Sequence, residues 1–152
     1  MSMLNSFYHV APRLFALSIF IFASAPSLAK SSNEAKMNLI VASKSFAITL
    51  ADNEAARAFR QMLPLVIKME DLNANEKHAL LSKTLPSKSS NPKHINAGDI
   101  MLYGSKTLVI FYKSFATQYA YTKLGQIDDP FQLESALGSG DVAVSFQKNG
   151  DD

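Results

Sequence analysis

The residues of this 152-residue chain that could perform chemistry are few, and they lack the grouping that known catalytic motifs require. Residues 90–93 (Ser-Asn-Pro-Lys) have the Ser-x-x-Lys spacing with which a helix brings a lysine amine over a serine hydroxyl. A proline lies inside this motif, however, and no apolar helix follows it. Residues 138–140 (Gly-Ser-Gly) precede a strand pattern, whereas a phosphate-binding loop precedes a helix. We therefore interpret both as loop or turn.

The titratable residues do not form a metal or acid–base site by their spacing. His78 and His94 are not spaced as a zinc-binding pair on a helix or strand. The adjacent acids at residues 70–71 and 128–129 would point to opposite faces of a strand, and neither pair has the alternating carboxylates of a calcium loop. We predict no catalytic residue, no metal site and no cofactor.

Several basic residues lie between positions 77 and 94, where they could form an anion-binding rim. Lysines without arginine or aromatic partners make poor specific sites, so we favour a solvated loop. The residues concerned are Lys77, His78, Lys83, Lys88, Lys93 and His94.

The aromatic residues make a stronger candidate site, because six of them crowd one short region and tyrosine combines contact area with a polar handle. Those at alternate positions are expected in the core, and the others are available to a ligand. The six are Tyr103, Phe111, Tyr112, Phe115, Tyr119 and Tyr121. We call residues 115–121 the aromatic segment.

A predicted β-hairpin must position these aromatics, with strands at 98–103 and 107–112 and a turn at 104–106. Both of its faces are apolar. Ile100 and Leu102 would point one way and Met101 and Tyr103 the other, since strand side chains alternate. The second face must then be covered, either by a helix near residues 53–63 or by the aromatic segment.

The rest of the chain reads as short strands with one or two short helices. Alternating apolar residues predict strands at 37–41, 46–50, 65–70, 123–127 and 142–146, with a polar turn after Glu70 and a long loop at 82–97. A helix begins near Asp52 or Asn53 and stops at Pro64, and a second spans 130–137. This pattern predicts a mainly β protein, an antiparallel barrel or sandwich with the first helix plugging one end.

The first 29 residues have the layout of a secretory signal peptide, with a weakly positive start, an apolar core and small residues before the cleavage site. We predict cleavage between Ala29 and Lys30, a flexible leader at 30–36 and one domain at 37–148. An uncleaved anchor is the alternative, although the apolar core is short for a membrane span. The expected location is periplasmic or secreted, with no membrane association after cleavage.

Composition restricts the fold and its partners further. The chain contains no cysteine, so an ordinary core must supply its stability even in an oxidising compartment. Its formal charge is +2 and Arg13 would leave with the signal peptide, so the mature form is near neutral. We therefore predict no nucleic-acid partner.

Several motifs in this order resemble the bacterial cyclophilin-like domain family. They are residues 53–64 (Asn-Glu-Ala-Ala-Arg-Ala-Phe-Arg-Gln-Met-Leu-Pro), Glu76-Lys77, the hairpin at 98–112 and residues 124–127 (Leu-Gly-Gln-Ile). The resemblance covers nearly all of the mature chain. It implies a closed β-barrel of cyclophilin-type topology in a family without an established activity. Many members carry a Pro-Trp-Gly-type hairpin turn, which is Gly-Ser-Lys here.

The resemblance also implies where a ligand would bind. Phe111 corresponds to a position near the strand that floors the proline pocket of cyclophilins, so we predict a ligand groove near Tyr103, Phe111, Tyr112 and Phe115. Cyclophilin catalysis needs an arginine beside that pocket, and the Phe-His-Arg motif that carries it is missing. The two arginines after the signal, Arg57 and Arg60, lie on the predicted helix and are interpreted as a solvated face paired with Glu54.

The first hypothesis is an exported, non-catalytic module that binds a small ligand, a peptide segment or a partner protein. The alternative is an enzyme, either a divergent peptidyl-prolyl isomerase or one with an unrecognised site. A third reading is a structural role in which an outward aromatic face forms an interface.

Overall fold

The computed structural model describes residues 36–149. The predicted signal peptide, its cleavage site at Ala29 and Lys30, and residues 30–35 lie outside the described residues. The elements are β1 Lys36–Val41, β2 Lys44–Leu50, α1 Glu54–Arg60, β3 Leu65–Leu72, β4 Glu76–Leu80, β5 His94–Ile95, β6 Asp99–Tyr103, β7 Thr107–Phe111, β8 Phe115–Ala116, β9 Thr122–Ile127, α2 Leu133–Leu137 and β10 Val142–Lys148.

Eight of the strands form a closed antiparallel barrel in the order β1-β10-β3-β4-β7-β6-β9-β2. Closure pairs every barrel strand on both sides and so leaves no exposed sheet edge. The short strands β5 and β8 form a separate two-stranded sheet outside the barrel. The prediction of a mainly β, closed barrel is confirmed.

The hairpin of β6 and β7 packs on both faces as its alternation predicts. Its inner residues, Ile100, Leu102, Leu108 and Ile110, belong to the main core. Its outer residues form a second buried cluster with parts of the loop and of the aromatic segment, namely Ile95, Met101, Val109, Phe111 and Tyr121, with Phe115 packed against them. Of the two candidates for covering the outer face, the aromatic segment is therefore the one that does so.

Helix α1 closes one end of the barrel, as predicted. Asn53 caps it by accepting a hydrogen bond from the Ala56 N–H at 2.8 Å. The Phe59 ring packs edge-on against Phe146 of β10, with centroids 5.2 Å apart. The helix ends at Arg60 rather than at residue 63, because residues 61–62 form a turn before Pro64.

Strand β4 is the barrel strand that the sequence pattern did not predict, as it did not predict the short strands β5 and β8 outside the barrel. The region after Glu70 was predicted as a polar turn, but only residues 73–75 turn, and Glu76–Leu80 then pairs with both β3 and β7. Lys77 and Ala79 face the barrel interior, whereas Glu76 and His78 face outward. The strand begins with two charged residues, Glu76 and Lys77, so its sequence lacks the alternating apolar residues by which the other barrel strands were predicted.

Helix α2 is shorter than the predicted span of 130–137. The Asp129 carboxylate accepts a hydrogen bond from the Phe131 N–H at 3.1 Å, which holds a turn before the helix begins at Leu133. Leu133 and Leu137 enter the main core. Between residues 36 and 149, no helix is long and apolar enough to cross a membrane.

Candidate ligand site on the outer barrel face

A pocket of about 630 Å³ lies on the outer face of β4, β6 and β7, beneath the aromatic segment. This volume falls within the range of small-molecule sites in proteins. Its walls come from the turn after β3, the outward side chains of β4, the hairpin and the aromatic segment. Its lining includes Asn75, Glu76, His78, Tyr103, Phe115, Tyr119 and Tyr121. We call this the outer pocket.

Aromatic rings in edge-on or tilted contact form one side of the outer pocket. The Tyr103 ring lies 6.2 Å from that of Tyr119 and 5.7 Å from that of Tyr121, measured between centroids. Phe111 lies beneath, with its centroid 5.5 Å from that of Tyr121 and 5.7 Å from that of Phe115. Such contacts fix ring orientation as well as burying area, so the wall is preorganised.

The long loop holds the aromatic segment in place over the pocket. Ser90 and Tyr121 exchange two backbone hydrogen bonds of 2.9 and 3.0 Å, and the Asn91 side-chain amide donates to the Gln118 carbonyl at 2.9 Å. The Thr117 N–H donates to the Lys93 carbonyl at 3.0 Å. The loop predicted at 82–97 therefore serves as a brace for the pocket wall.

Glu76 places a buried carboxylate in the outer pocket. The residue is 9% exposed, and it lies opposite Phe111 in the β4–β7 register. Among residues 36–149, no side chain or backbone group hydrogen-bonds to this carboxylate or forms an ion pair with it. Burial, and secondarily the charge of Asp71, raise the pKa of Glu76 above its ordinary value.

The remaining polar atoms of the outer pocket are chiefly acceptors or neutral groups. The Asn75 side-chain oxygen is buried and has no hydrogen-bond partner in the described part of the chain. His78 lies two residues after Glu76 on the same face. No lysine or arginine from residues 36–149 lines the pocket, although the chain has 15 of them. The site therefore has no lysine or arginine to neutralise Glu76.

The inner side of the same strand is arranged differently. The Lys77 side chain is fully buried, and its ammonium donates to Asp71 at 2.6 Å and to the carbonyls of Gly138 and Gly140 at 2.7 and 2.6 Å. The Tyr112 hydroxyl donates to the same Asp71 oxygen at 2.7 Å. We call these residues the inner network. It ties the turn at 138–140 to the end of the barrel.

The charges of the inner network support one another. Hydrogen bonds from Lys77, and then from Tyr112, hold the pKa of Asp71 below its ordinary value. The pKa of Tyr112 is raised, first by burial and then by its hydrogen bond to Asp71. The interpretation of Lys77 as part of a solvated loop is wrong, because β4 carries it into the barrel, where three acceptors receive its protons.

The four residues predicted to bind a ligand do not all lie in the same site. Tyr103 and Phe115 line the outer pocket, and Phe111 lies fully buried beneath it. Tyr112 faces the barrel interior instead, because it follows Phe111 in the strand alternation. The pocket adds Glu76, which the prediction missed because it fell in a segment interpreted as a turn.

The arginines of α1 lie outside the outer pocket. Arg57 pairs with Asp52 at 2.9 Å rather than with Glu54, and both side chains are exposed. The Arg60 Nε is buried without a hydrogen-bond partner within residues 36–149. Over the same residues, no group of three or more His, Cys, Asp or Glu side chains could hold a metal ion.

The closed eight-stranded antiparallel barrel, plugged by a short helix and carrying a pocket on its outer face, defines a cyclophilin-like class of fold. Residues 39–147 match the model of the cyclophilin-like family, and the chain belongs to that family. The solution structure of the hypothetical protein AF2241 from Archaeoglobus fulgidus is similar, with a TM-score of 0.54 and 16% identity over 80% of this chain and 99% of that chain. That likeness concerns the fold. No curated protein sequence matches the chain significantly.

Proposed function

We propose that the protein is an exported cyclophilin-like domain that works as a non-catalytic binding module for a small ligand, a peptide or a partner protein. The observation that carries this proposal is the outer pocket, which combines exposed tyrosine with a buried, unpaired carboxylate. Proteins keep a buried group of this kind at a cost in stability, and such groups concentrate at functional sites.

The residues of the pocket favour binding over prolyl isomerisation. That reaction is assisted by a guanidinium that hydrogen-bonds to the prolyl nitrogen, and it must lower a barrier of about 18–20 kcal/mol. The outer pocket is lined by no arginine from the described residues. A carboxylate and three tyrosines instead provide orientation and contact area.

Export rests on the first 29 residues, whose charged start, apolar core and small residues before position 30 are typical of a cleaved signal. Expression of the full chain with fractionation, followed by mass determination, tests this part. A mature chain that begins at Lys30 in the exported fraction is the expected result. A full-length chain retained in the membrane or the cytoplasm would contradict it.

Two assays test the binding role. A screen of small molecules and short peptides by NMR should shift resonances of Tyr103, Phe115 and Tyr121, and a chromogenic prolyl-peptide assay should show no turnover. Turnover that disappears when Arg57 or Arg60 is replaced would establish the enzyme alternative instead. Size-exclusion chromatography separates both from a purely structural role, since a strict monomer has no self-assembly interface.

A further inference from the structure

The outer pocket has the chemistry of a cation site. Its aromatic faces carry negative electrostatic potential, and rings of tyrosine attract an ammonium group placed over them. Tyr103, Tyr119 and Tyr121 supply three such rings, and the Tyr103 ring contacts each of the other two. Apolar ligands alone would use the rings, but they would leave the Glu76 carboxylate without a partner.

Glu76 lies close enough to the aromatic wall to act together with it. It is directly opposite Phe111 in the β-ladder, and the Phe111 ring contacts Tyr121. After burial itself, the charge of Glu76 is the largest of the effects that raise the pKa of Tyr121. A cation in the pocket would therefore meet the carboxylate and the tyrosine rings at once.

We propose that the outer pocket binds an organic ammonium ion, which pairs with the Glu76 carboxylate while its alkyl or aryl body packs on Tyr103, Tyr119 and Tyr121. The inference rests on the proposed binding function and names its ligand class. The same headgroup occurs on free amines and on lysine side chains of peptides.

Three probes of one shape and different charge test the proposal, namely benzylammonium, benzyl alcohol and benzoate. NMR titration of the protein at pH 7 should show benzylammonium shifting the tyrosine resonances of the outer pocket. Benzyl alcohol should bind about tenfold more weakly or worse, and benzoate not at all, because a buried charge pair discriminates strongly. Equal affinity for the cation and the alcohol would overturn the cation proposal and leave the binding function standing. If none of the three probes binds, the cation proposal is overturned as well.

Glu76→Gln is the matching variant, because it keeps the shape of the side chain and removes its charge. Affinity for benzylammonium should fall about tenfold or more, while affinity for benzyl alcohol should stay unchanged. Glu54→Gln, an exposed change of the same kind on α1, is the control and should alter neither. Folding of each variant is checked by its amide spectrum. An unchanged affinity for benzylammonium in folded Glu76→Gln would refute the pairing.

A second pair of probes identifies the source of the headgroup. Butylammonium and N-acetyl-lysine-N-methylamide carry the same ammonium, on a free amine and on a peptide-like backbone. Tighter binding of the lysine derivative would support a peptide ligand, and tighter binding of butylammonium a free amine. Both results support the ammonium site, whereas binding of neither would contradict it.

Discussion

Glu76 and Lys77 are neighbours on β4, yet the barrel wall separates them into two environments. Lys77 faces inward, where its ammonium has three oxygen partners at 2.6–2.7 Å. Glu76 faces outward into the pocket, where it is nearly as buried and has no partner among residues 36–149. Removing one partner of a satisfied buried pair is strongly destabilising, whereas a mostly buried charge without a protein partner costs stability and is a candidate functional group. We infer that the inner network contributes stability, and the outer pocket is the proposed ligand site.

The largest expected effect comes from breaking the inner network. Lys77→Met keeps the length of the side chain but removes the donor to two carbonyls and leaves Asp71 with the Tyr112 hydroxyl as its side-chain donor. We expect the free energy of unfolding to fall by about 3 kcal/mol, as for other buried pairs that lose one partner. Urea denaturation measures it. The control is Lys68→Met, which removes an exposed lysine paired with Asp141 at 2.9 Å and should change little. Equal losses in the two variants would remove the distinction drawn for Lys77.

In the outer pocket, removing the buried charge is expected to raise the stability of the protein instead of lowering it. Glu76→Gln removes a carboxylate that is buried without a partner, so the variant should be more stable than the parent protein at pH 7. A rise in Tm of about 3 °C corresponds to somewhat less than 1 kcal/mol for a domain of this size. The same substitution is expected to weaken benzylammonium binding about tenfold or more. A loss of stability would show that Glu76 has a structural partner.

The pH dependence of stability should also differ between Glu76 in the outer pocket and Asp71 in the inner network. Because the pKa of Glu76 is raised in the folded state, its ionisation costs stability as pH rises from its unfolded pKa through its folded pKa. The stability advantage of Glu76→Gln should therefore be absent below the unfolded pKa of glutamate and should grow as pH rises through the raised folded pKa. The titratable groups that share electrostatic interactions with Glu76 are Asp71 on β3, Tyr112 immediately after β7, and Tyr121 of the aromatic segment, and His78 lies on the same face of β4.

Asp71 should show the reverse behaviour. Its pKa is lowered in the folded state, so the stability that it contributes is present above its unfolded pKa and is lost as pH falls through the folded value. The destabilisation caused by Asp71→Asn should be greatest at neutral pH and should shrink in strong acid. Thermal unfolding of both variants between pH 2 and about 8 measures these slopes, and slopes of the same sign would contradict the comparison.

The smallest expected effect is the loss of ligand affinity when one aromatic side chain in the wall of the outer pocket is shortened. Tyr103 is 49% exposed, so Tyr103→Ala should leave Tm nearly unchanged. Affinity for benzylammonium should fall about threefold, the weight of one partly exposed cation–π contact. Tyr103→Phe should bind like the parent, and Phe131→Ala, at an exposed aromatic outside the pocket, is the control. Parent-like affinity in Tyr103→Ala would exclude this ring from the site.

The sequence predicted the barrel well because most strands show clear alternation. The two-faced hairpin follows from local alternation, and the helix cap was limited to Asp52 or Asn53. Whether the helix or the aromatic segment covers Met101 and Phe111 depends on tertiary packing, which the sequence left open. The outer pocket was predicted only in part. Tyr103 and Phe115 could be named from aromatic crowding, but β4 begins with two charged residues and so reads as a turn. Only the closed barrel shows that one of these charges faces inward and the other outward.

The most direct measurement is the pKa of Glu76, followed by carboxyl NMR with and without a saturating ammonium probe. We predict a pKa above the ordinary value for glutamate in the free protein and a marked decrease when benzylammonium binds, with no change on adding benzyl alcohol. A free-state pKa that is not raised, or one that the cation leaves unmoved, would contradict the claim that Glu76 is an unpaired charge kept for a cationic ligand.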